Sequence, residues 1–289
     1  MKFWLSLLFE PPGSLLDHAR MAEEFGYEGV VLPDHVVVKD GPRTPHPSGY
    51  PLQADEVFVD PLLAFSAMAA VTKRLRFLNF VYVVPLRDPF MLAKQAGSLA
   101  VLSNNRFVLG TGVGWLKEEF EAVGEDFHTR GKRIDDMFDI MRDFWDDGYA
   151  EHHGAFFDFP RSGMFPVPEQ QIPIWVGGHS MAAAKRAALY EGYMPMRRIT
   201  EKSGALDAQT AAEFRQMDEI RRERGITAHQ DRLMMTTFPL DDPGLVRNLM
   251  DNGITQTIVE PWQLNDHTTP LDQKRKLAET FAEKVIARI

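Results

Sequence analysis

Cysteine is absent from the 289 residues. That excludes a disulfide framework, a thiolate metal site and a cysteine nucleophile. No apolar run approaches the ~20 residues that a membrane-spanning helix needs, so no membrane partner is expected. Basic residues are the scarcer charge: 32 Lys and Arg face 41 Asp and Glu, a net charge of −9. No dense Lys/Arg run marks an electrostatic footprint, so no nucleic-acid partner is expected either. HExxH is missing, and the adjacent His152 and His153 point apart in an extended chain, so no metal site is expected. The opening MKFWLSLLFEPPG is interrupted by Glu10 and two prolines, and no small-residue cleavage site follows. It reads as the first strand of a cytoplasmic protein, not as a secretion signal.

Apolar residues make up 44% of the chain, enough for a large core. Short apolar runs at 3–9, 29–32, 76–83, 106–110, 172–176, 192–194, 232–238 and 256–259 alternate with longer helical patterns. This alternation predicts an α/β fold, a (β/α)8 TIM barrel with insertion loops, as a single domain over 1–289. A doubly wound sheet competes, but GTGVGW is not GxGxxG and follows the fourth strand, not the first. Asp60-Pro61, Asp88-Pro89 and Asp242-Pro243 are helix starts: Asp caps free amides, and Pro suits the first turn. Ser14 is the expected cap of the first helix, and Gly253 the end of the one after Pro243. Two stretches exceed ordinary loop length. The Pro- and Gly-rich 36–59 follows the second strand, on the face where barrels place their chemistry, and is expected to act as a lid. The stretch 149–173, with the insertion at 150–171, is expected to cross the barrel's side or to serve as a second lid.

Three places carry chemistry. The run RFVLGTGVGW ends a strand in Gly110, Gly112 and Gly114, where a backbone without Cβ atoms can approach a phosphate or a flat ring. Strand packing explains the same glycines equally well. The second strand ends in Asp34-His35, where the imidazole can exchange a proton and the carboxylate can orient it. The fifth ends in Gly177-Gly178-His179-Ser180 before an Ala-rich helix, so amides, a hydroxyl and a helix N-terminus converge on an anion site. Arg87 reads as a loop arginine beside a helix cap. Arg130 and Arg133 of RGKR are expected to pair with Glu118, Glu119 or Glu121.

The runs EFGYEGVVLPDHV, DPLLAFSAMAAVTKRLRF, VVPLRDPFMLAKQAGSLAVLSNNRFVLGTGVGWLKEEFEAVG, RGKR and PIWVGGHSMAAAKRAA occur in that order. Together they resemble the luciferase-like barrel oxidoreductases, most closely the branch that depends on the deazaflavin coenzyme F420. Beyond residue 190 the likeness thins to EGYMP. The resemblance implies a cofactor ring at the C-terminal ends of the strands, with coenzyme F420 as cofactor and FMN as the alternative. It implies that Asp34 and His35 contact the ring and serve in proton transfer. It places Phe80 and Val81 at a bulge behind the ring, where the family often has a non-proline cis peptide; the family usually has a small residue where this chain has Phe80. Gly112, Val113 and Gly114, with Gly177, Gly178, His179 and Ser180, match segments lining the phosphate-bearing tail. Bacterial luciferase has an arginine at the Val113 position and Glu-Ser at His179-Ser180. The deazaflavin-dependent glucose-6-phosphate dehydrogenase has a catalytic glutamate at the Val113 position. Valine does neither job, which argues against sugar-phosphate oxidation and leaves the luciferase-type phosphate clamp incomplete. The implied reaction is hydride transfer between deazaflavin and a small organic substrate, with Tyr50 in the lid. The rivals are an FMN-dependent monooxygenase and a flavin-binding barrel without turnover; a cofactor-free hydrolase, lacking any nucleophile elbow, is remoter. The expected partners are the small-molecule substrate, a reductase supplying reduced flavin or F420, and a second copy of the chain in a homodimer.

Overall fold

A computed structural model describes every residue except 42, 43, 48 and 264–267. Its principal sheet is a row of eight parallel strands, β1 (Lys2–Ser6), β2 (Gly29–Leu32), β3 (Arg76–Asn79), β4 (Phe107–Gly112), β5 (Ile174–Gly178), β6 (Gly192–Pro195), β7 (Asp231–Arg232) and β8 (Gln256–Val259), with the short segment Tyr82–Val83 paired beside the tip of β4. They lie in the order β7-β6-β5-β4-β3-β2-β1-β8. The ends of that row meet. Leu233 pairs with Gln256, Thr255 N–H donates to the Arg232 carbonyl (3.0 Å), and Met234 N–H donates to the Gln256 carbonyl (3.2 Å). The sheet therefore closes into a (β/α)8 barrel, as the strand spacing predicts, and the doubly wound alternative falls.

Period-two alternation sorts the strand residues into two layers. Trp4, Val31, Leu78, Val108, Trp175, Met194, Leu233 and Ile258 fill the barrel axis. Their neighbours, among them Leu5, Val30, Phe77, Leu109, Val176 and Tyr193, pack outward against the helices. The two tryptophans meet edge to face at 5.8 Å, and Trp4 Nε1 donates to Gln256 Oε1 (2.8 Å). Each fully buried large side chain contributes about 1.5–3 kcal/mol of transfer free energy.

Helices α1 (Leu15–Glu24), α2 (Pro61–Val71), α3 (Pro89–Leu102), α4 (Lys117–Val123), α5 (Arg130–Asp146), α6 (Met181–Ala187), α7 (Ala208–Glu223), α8 (Pro243–Asp251) and α9 (Leu271–Lys284) surround the strands. The three Asp-Pro starts are capped as expected, Asp60 accepting from Leu62 and Leu63, Asp88 from Met91, and Asp242 from Gly244. Ser14 makes no such cap; its hydroxyl donates to the Pro11 carbonyl (2.8 Å). Gly253, at φ 82°, follows the end of α8. The first and last units are tied by a buried pair. Lys274 Nζ lies 2.8 Å from both oxygens of Glu10, which also accepts from Trp262 Nε1 (2.7 Å). The stretch 149–173 contains a β-hairpin, Tyr149–His153 with Asp158–Gly163. It packs on the barrel's flank, with Phe159 against Phe90 and Phe144, so of the two expectations the crossing one holds. No described helix is long and apolar enough to cross a membrane.

At Gly110, inside the barrel, a Cβ would fall 1.9 Å from the Asn79 carbonyl oxygen and 2.8 Å from Leu78. Backbone cannot yield there as a side-chain tip could, so Gly110→Ala is expected to cost at least about 1–3 kcal/mol. Chemical denaturation measures it, and a loss below about 0.5 kcal/mol would contradict this packing.

Candidate active site

Asp34 and His35 leave β2 at the C-terminal end of the barrel, yet the structure sends them to different tasks. Asp34 is 4% exposed. Its Oδ2 accepts from Val83 N–H (2.9 Å), and its Oδ1 from the Arg87 guanidinium (2.5 Å), which lies over the Tyr82 ring. Burial pushes the Asp34 carboxyl up from the usual carboxylate range, and the Arg87 charge pulls against it. Both oxygens are engaged, neither by His35. Asp34, expected to act beside His35, therefore makes no hydrogen bond to the imidazole. The carboxylate clamps the segment after β3 onto the end of β2, and Arg87 is its counter-ion.

His35 takes its orienting partner from α4. Its Nδ1 lies 3.1 Å from Glu119 Oε2. Glu119 is 2% exposed, and its other oxygen accepts from the amides of Val36 (2.5 Å) and Val37 (3.3 Å). With Nδ1–H donated to a carboxylate, Nε2 is left as the acceptor. The neighbouring Glu118 accepts from the Thr44 amide (3.1 Å) and hydroxyl (2.8 Å), so two successive glutamates hold the 36–59 loop. The expected pairing of these glutamates with Arg130 and Arg133 does not occur. Arg133 pairs with Glu125, and Glu121 with Lys117. Arg130 donates to the carbonyls of Gly114 (3.1 Å) and Phe127 (2.7 Å), and has no ion-pair partner among the described residues. Its guanidinium is thereby held against the glycine turn.

The floor beside His35 is built around Val81. The Phe80–Val81 peptide is cis, despite the bulk of Phe80. A Cβ at Gly112 would lie 2.5 Å from one Val81 methyl, and a Cβ at Gly177 would lie 2.6 Å from the other. These two glycines, expected to approach a ligand, also leave the space that seats Val81 between β4 and β5. Val113, Gly114 and Gly178 are half-buried, while His179 and Ser180 are exposed. Ser180 caps α6 through Ala183 N–H (3.3 Å). The His179 carbonyl is gripped by Arg197 (2.6 Å) and Gln209 (3.2 Å), with Glu213 and Tyr193 behind Arg197. Burial and Glu213 push the Tyr193 hydroxyl up. Ser6 was not anticipated as a site residue. It follows Trp4 on the interior face of β1, and its hydroxyl is buried without a partner among the described residues.

The loop 36–59 stands over this end. Phe58 meets His35 at 4.8 Å, His46 meets Trp115 at 4.8 Å, and Tyr50 donates to Glu56. A cavity of about 340 Å³ opens between the loop and Trp115, lined by Asp40, Thr44, His46, Tyr50 and Gln53 among others. Burial, and then His35, pull the His46 imidazole below its ordinary value. Glu119 and Trp115 were legible only indirectly. An acidic pair in the first turn after a glycine turn suits the helix dipole, and nothing local tells which glutamate faces inward. The expected loop includes 42, 43 and 48, which lie outside the described residues.

Comparison with known proteins agrees with this architecture. The family model described as luciferase-like monooxygenase matches residues 2–239. An uncharacterized protein of Mycobacterium tuberculosis is 37% identical over 280 residues, 94% of each chain. A monooxygenase from Streptomyces bottropensis is similar in fold, with TM-score 0.78 at 18% identity over 100% of this chain and 99% of its own. The coenzyme F420-dependent tetrahydromethanopterin reductase of Methanopyrus kandleri is similar too, with TM-score 0.72 at 15% identity over 99% of each chain.

Asp34→Ala leaves the Arg87 guanidinium buried without its counter-ion, and is expected to destabilise the fold by about 3–5 kcal/mol in urea unfolding. Unchanged stability with turnover abolished would return Asp34 to the chemistry.

Proposed function

The chain belongs to the luciferase-like monooxygenase family, and from that membership we propose that it is a coenzyme F420-dependent oxidoreductase acting on a small organic substrate. The observation that carries the reading is the His35–Glu119 pair at the end of β2. Hydride transfer to or from a carbonyl, imine or enone leaves a proton to be placed, and an imidazole with a fixed tautomer is suited to place it. The mouth fits a flavin-like group on other grounds as well. Among the described residues, Ser6 offers a buried hydroxyl without a partner, and Arg130 a cation without a carboxylate beside the glycine turn.

Bound there, a deazaflavin supplies hydride, because carbon replaces nitrogen at its reactive position and oxygen is not activated. The protein does the rest. His35 Nε2 takes or returns the proton at the substrate heteroatom, while Glu119 steadies the imidazolium. Arg130, Val113, Gly114 and the Gly178-His179-Ser180 turn would hold the phosphate-bearing tail. The Asp34–Arg87 clamp holds the segment that carries Phe80 and Val81, which would stand behind the ring. The 36–59 loop, with Tyr50, excludes water.

Arg130 also favours a second reading. A single cation at the glycine turn suits the compact phosphate of FMN, and the similar monooxygenase from Streptomyces bottropensis fits an oxygen-using chemistry. In that reading a separate reductase supplies the reduced flavin.

Fluorescence titration with F420 and with FMN decides between them. F420 is expected to bind, and reduced F420 to be oxidised by a member of an enone, imine and quinone panel. Tight binding of FMN alone would overturn the proposal, and binding of neither would end both readings. His35→Ala is expected to keep F420 affinity within about twofold and to slow turnover by about 10²–10⁴-fold. Unchanged turnover would remove His35 from the mechanism.

A further inference from the structure

Six aromatic side chains from four separate segments form a closed circuit at the barrel mouth. Phe9 stacks on Tyr50 (5.4 Å between ring centroids), Tyr50 meets His46 (6.1 Å), and His46 meets Trp115 (4.8 Å). Trp115 meets His35 (6.0 Å), His35 meets Phe58 (4.8 Å), and Phe58 returns to Phe9 (5.7 Å). We propose that this circuit is a recognition box for a flat, π-bearing ring in the substrate. The proposal rests on the oxidoreductase reading above and names its substrate class.

Exposure separates this cluster from ordinary core packing. All six rings are only half-buried, whereas the helix-side cluster of Phe65, Phe77 and Phe107 is at most 1% exposed. Aromatic rings gathered at a half-open mouth retain surface for a further ring. Apart from Phe9–Tyr50, every contact in the circuit is steep, with interplanar angles of 66–84°. In a steep contact the edge of one ring rests on the face of the next, so a guest would meet the part of each ring that the circuit leaves exposed. The faces carry negative quadrupole charge, so they favour a planar guest, most of all an electron-poor one. That preference suits a hydride acceptor.

Two further observations bear on the role of the box. Phe9 holds φ 61°, a left-handed conformation that bulky residues rarely adopt. Such backbone is kept where surrounding structure needs it, and here it presents the ring that stacks on the lid residue Tyr50. The box also shares His35 with the proton-transfer pair, so a guest ring would bring its heteroatom beside the imidazole. The 340 Å³ cavity, lined by His46, Tyr50 and Trp115, adjoins the circuit and leaves room for a substituent.

The test uses two ligands with one carbon skeleton. Naphthalene-2-carboxamide is flat; decahydronaphthalene-2-carboxamide is puckered and has no π face. Calorimetric titration of the full-length protein is expected to give about tenfold tighter binding of the flat compound. Tyr50→Leu and Trp115→Leu are each expected to weaken the flat compound by about fivefold and to leave the puckered one unchanged. Affinities within about twofold of each other, no binding of either at millimolar concentration, or an equal loss of both in the variants would overturn the box and leave a lid latch. The wild-type ratio alone decides the matter should a variant fail to fold. F420 and FMN are titrated into the same preparation. Ring discrimination without cofactor binding keeps the box and ends the oxidoreductase reading; cofactor binding without discrimination does the reverse.

Discussion

Glu119 is the interaction on which the mouth of this barrel depends. A buried carboxylate costs several kcal/mol of desolvation unless its oxygens are engaged. Here the Val36 and Val37 amides and His35 Nδ1 supply the partners. The position in the first turn of α4 adds the favourable end of the helix dipole. One side chain thereby fixes the imidazole, starts the lid loop in a set direction and joins the second βα unit to the fourth. Glu118 continues the same work at Thr44. Without these two anchors, nothing described along 36–44 would hold the loop above the strand ends by side-chain hydrogen bonds.

Beneath that arrangement the strands are joined by a second device. Asp34 binds the Val83 amide and Arg87, and so draws the segment after β3 across the end of β2. Val81 then reaches over to β4 and β5, which make room for it with Gly112 and Gly177. The charge pair and the two missing side chains are one construction: the pair brings the segment in, and the glycines let it close. This divides the labour between two adjacent residues. Asp34 holds the floor, and His35 faces the lid.

Much of the fold was legible because barrel strands have local signatures. Short apolar runs, Asp-Pro caps and glycine turns recur with the βα period, and they located all eight strands, although the expected runs 76–83 and 232–238 extend well past the ends of β3 at Asn79 and β7 at Arg232. β4 runs on to Gly112, two residues past the expected end, because the Tyr82–Val83 segment pairs with its tip. The site was legible in part. Asp34 and His35 were located, but their division was not, because it depends on Arg87 and Glu119, distant along the chain. Arg130 and Glu119 read as ion-pair partners from charge and proximity in sequence. Helix phase decided otherwise, turning Glu119 inward to His35 and setting Arg130 on the carbonyls of Gly114 and Phe127. The aromatic circuit could not be read at all, since its six members come from four segments and share no period.

Glu119 fixes the tautomer of His35 and so prepares Nε2 to handle a proton. Nitrogen-15 NMR of histidine-labelled protein tests it directly, with the His35 signals identified by their absence in His35→Asn. Neutral His35 is expected to carry its proton on Nδ1, and to lose this preference in Glu119→Ala. A proton resident on Nε2 in the wild-type protein, or a tautomer indifferent to Glu119, would contradict it.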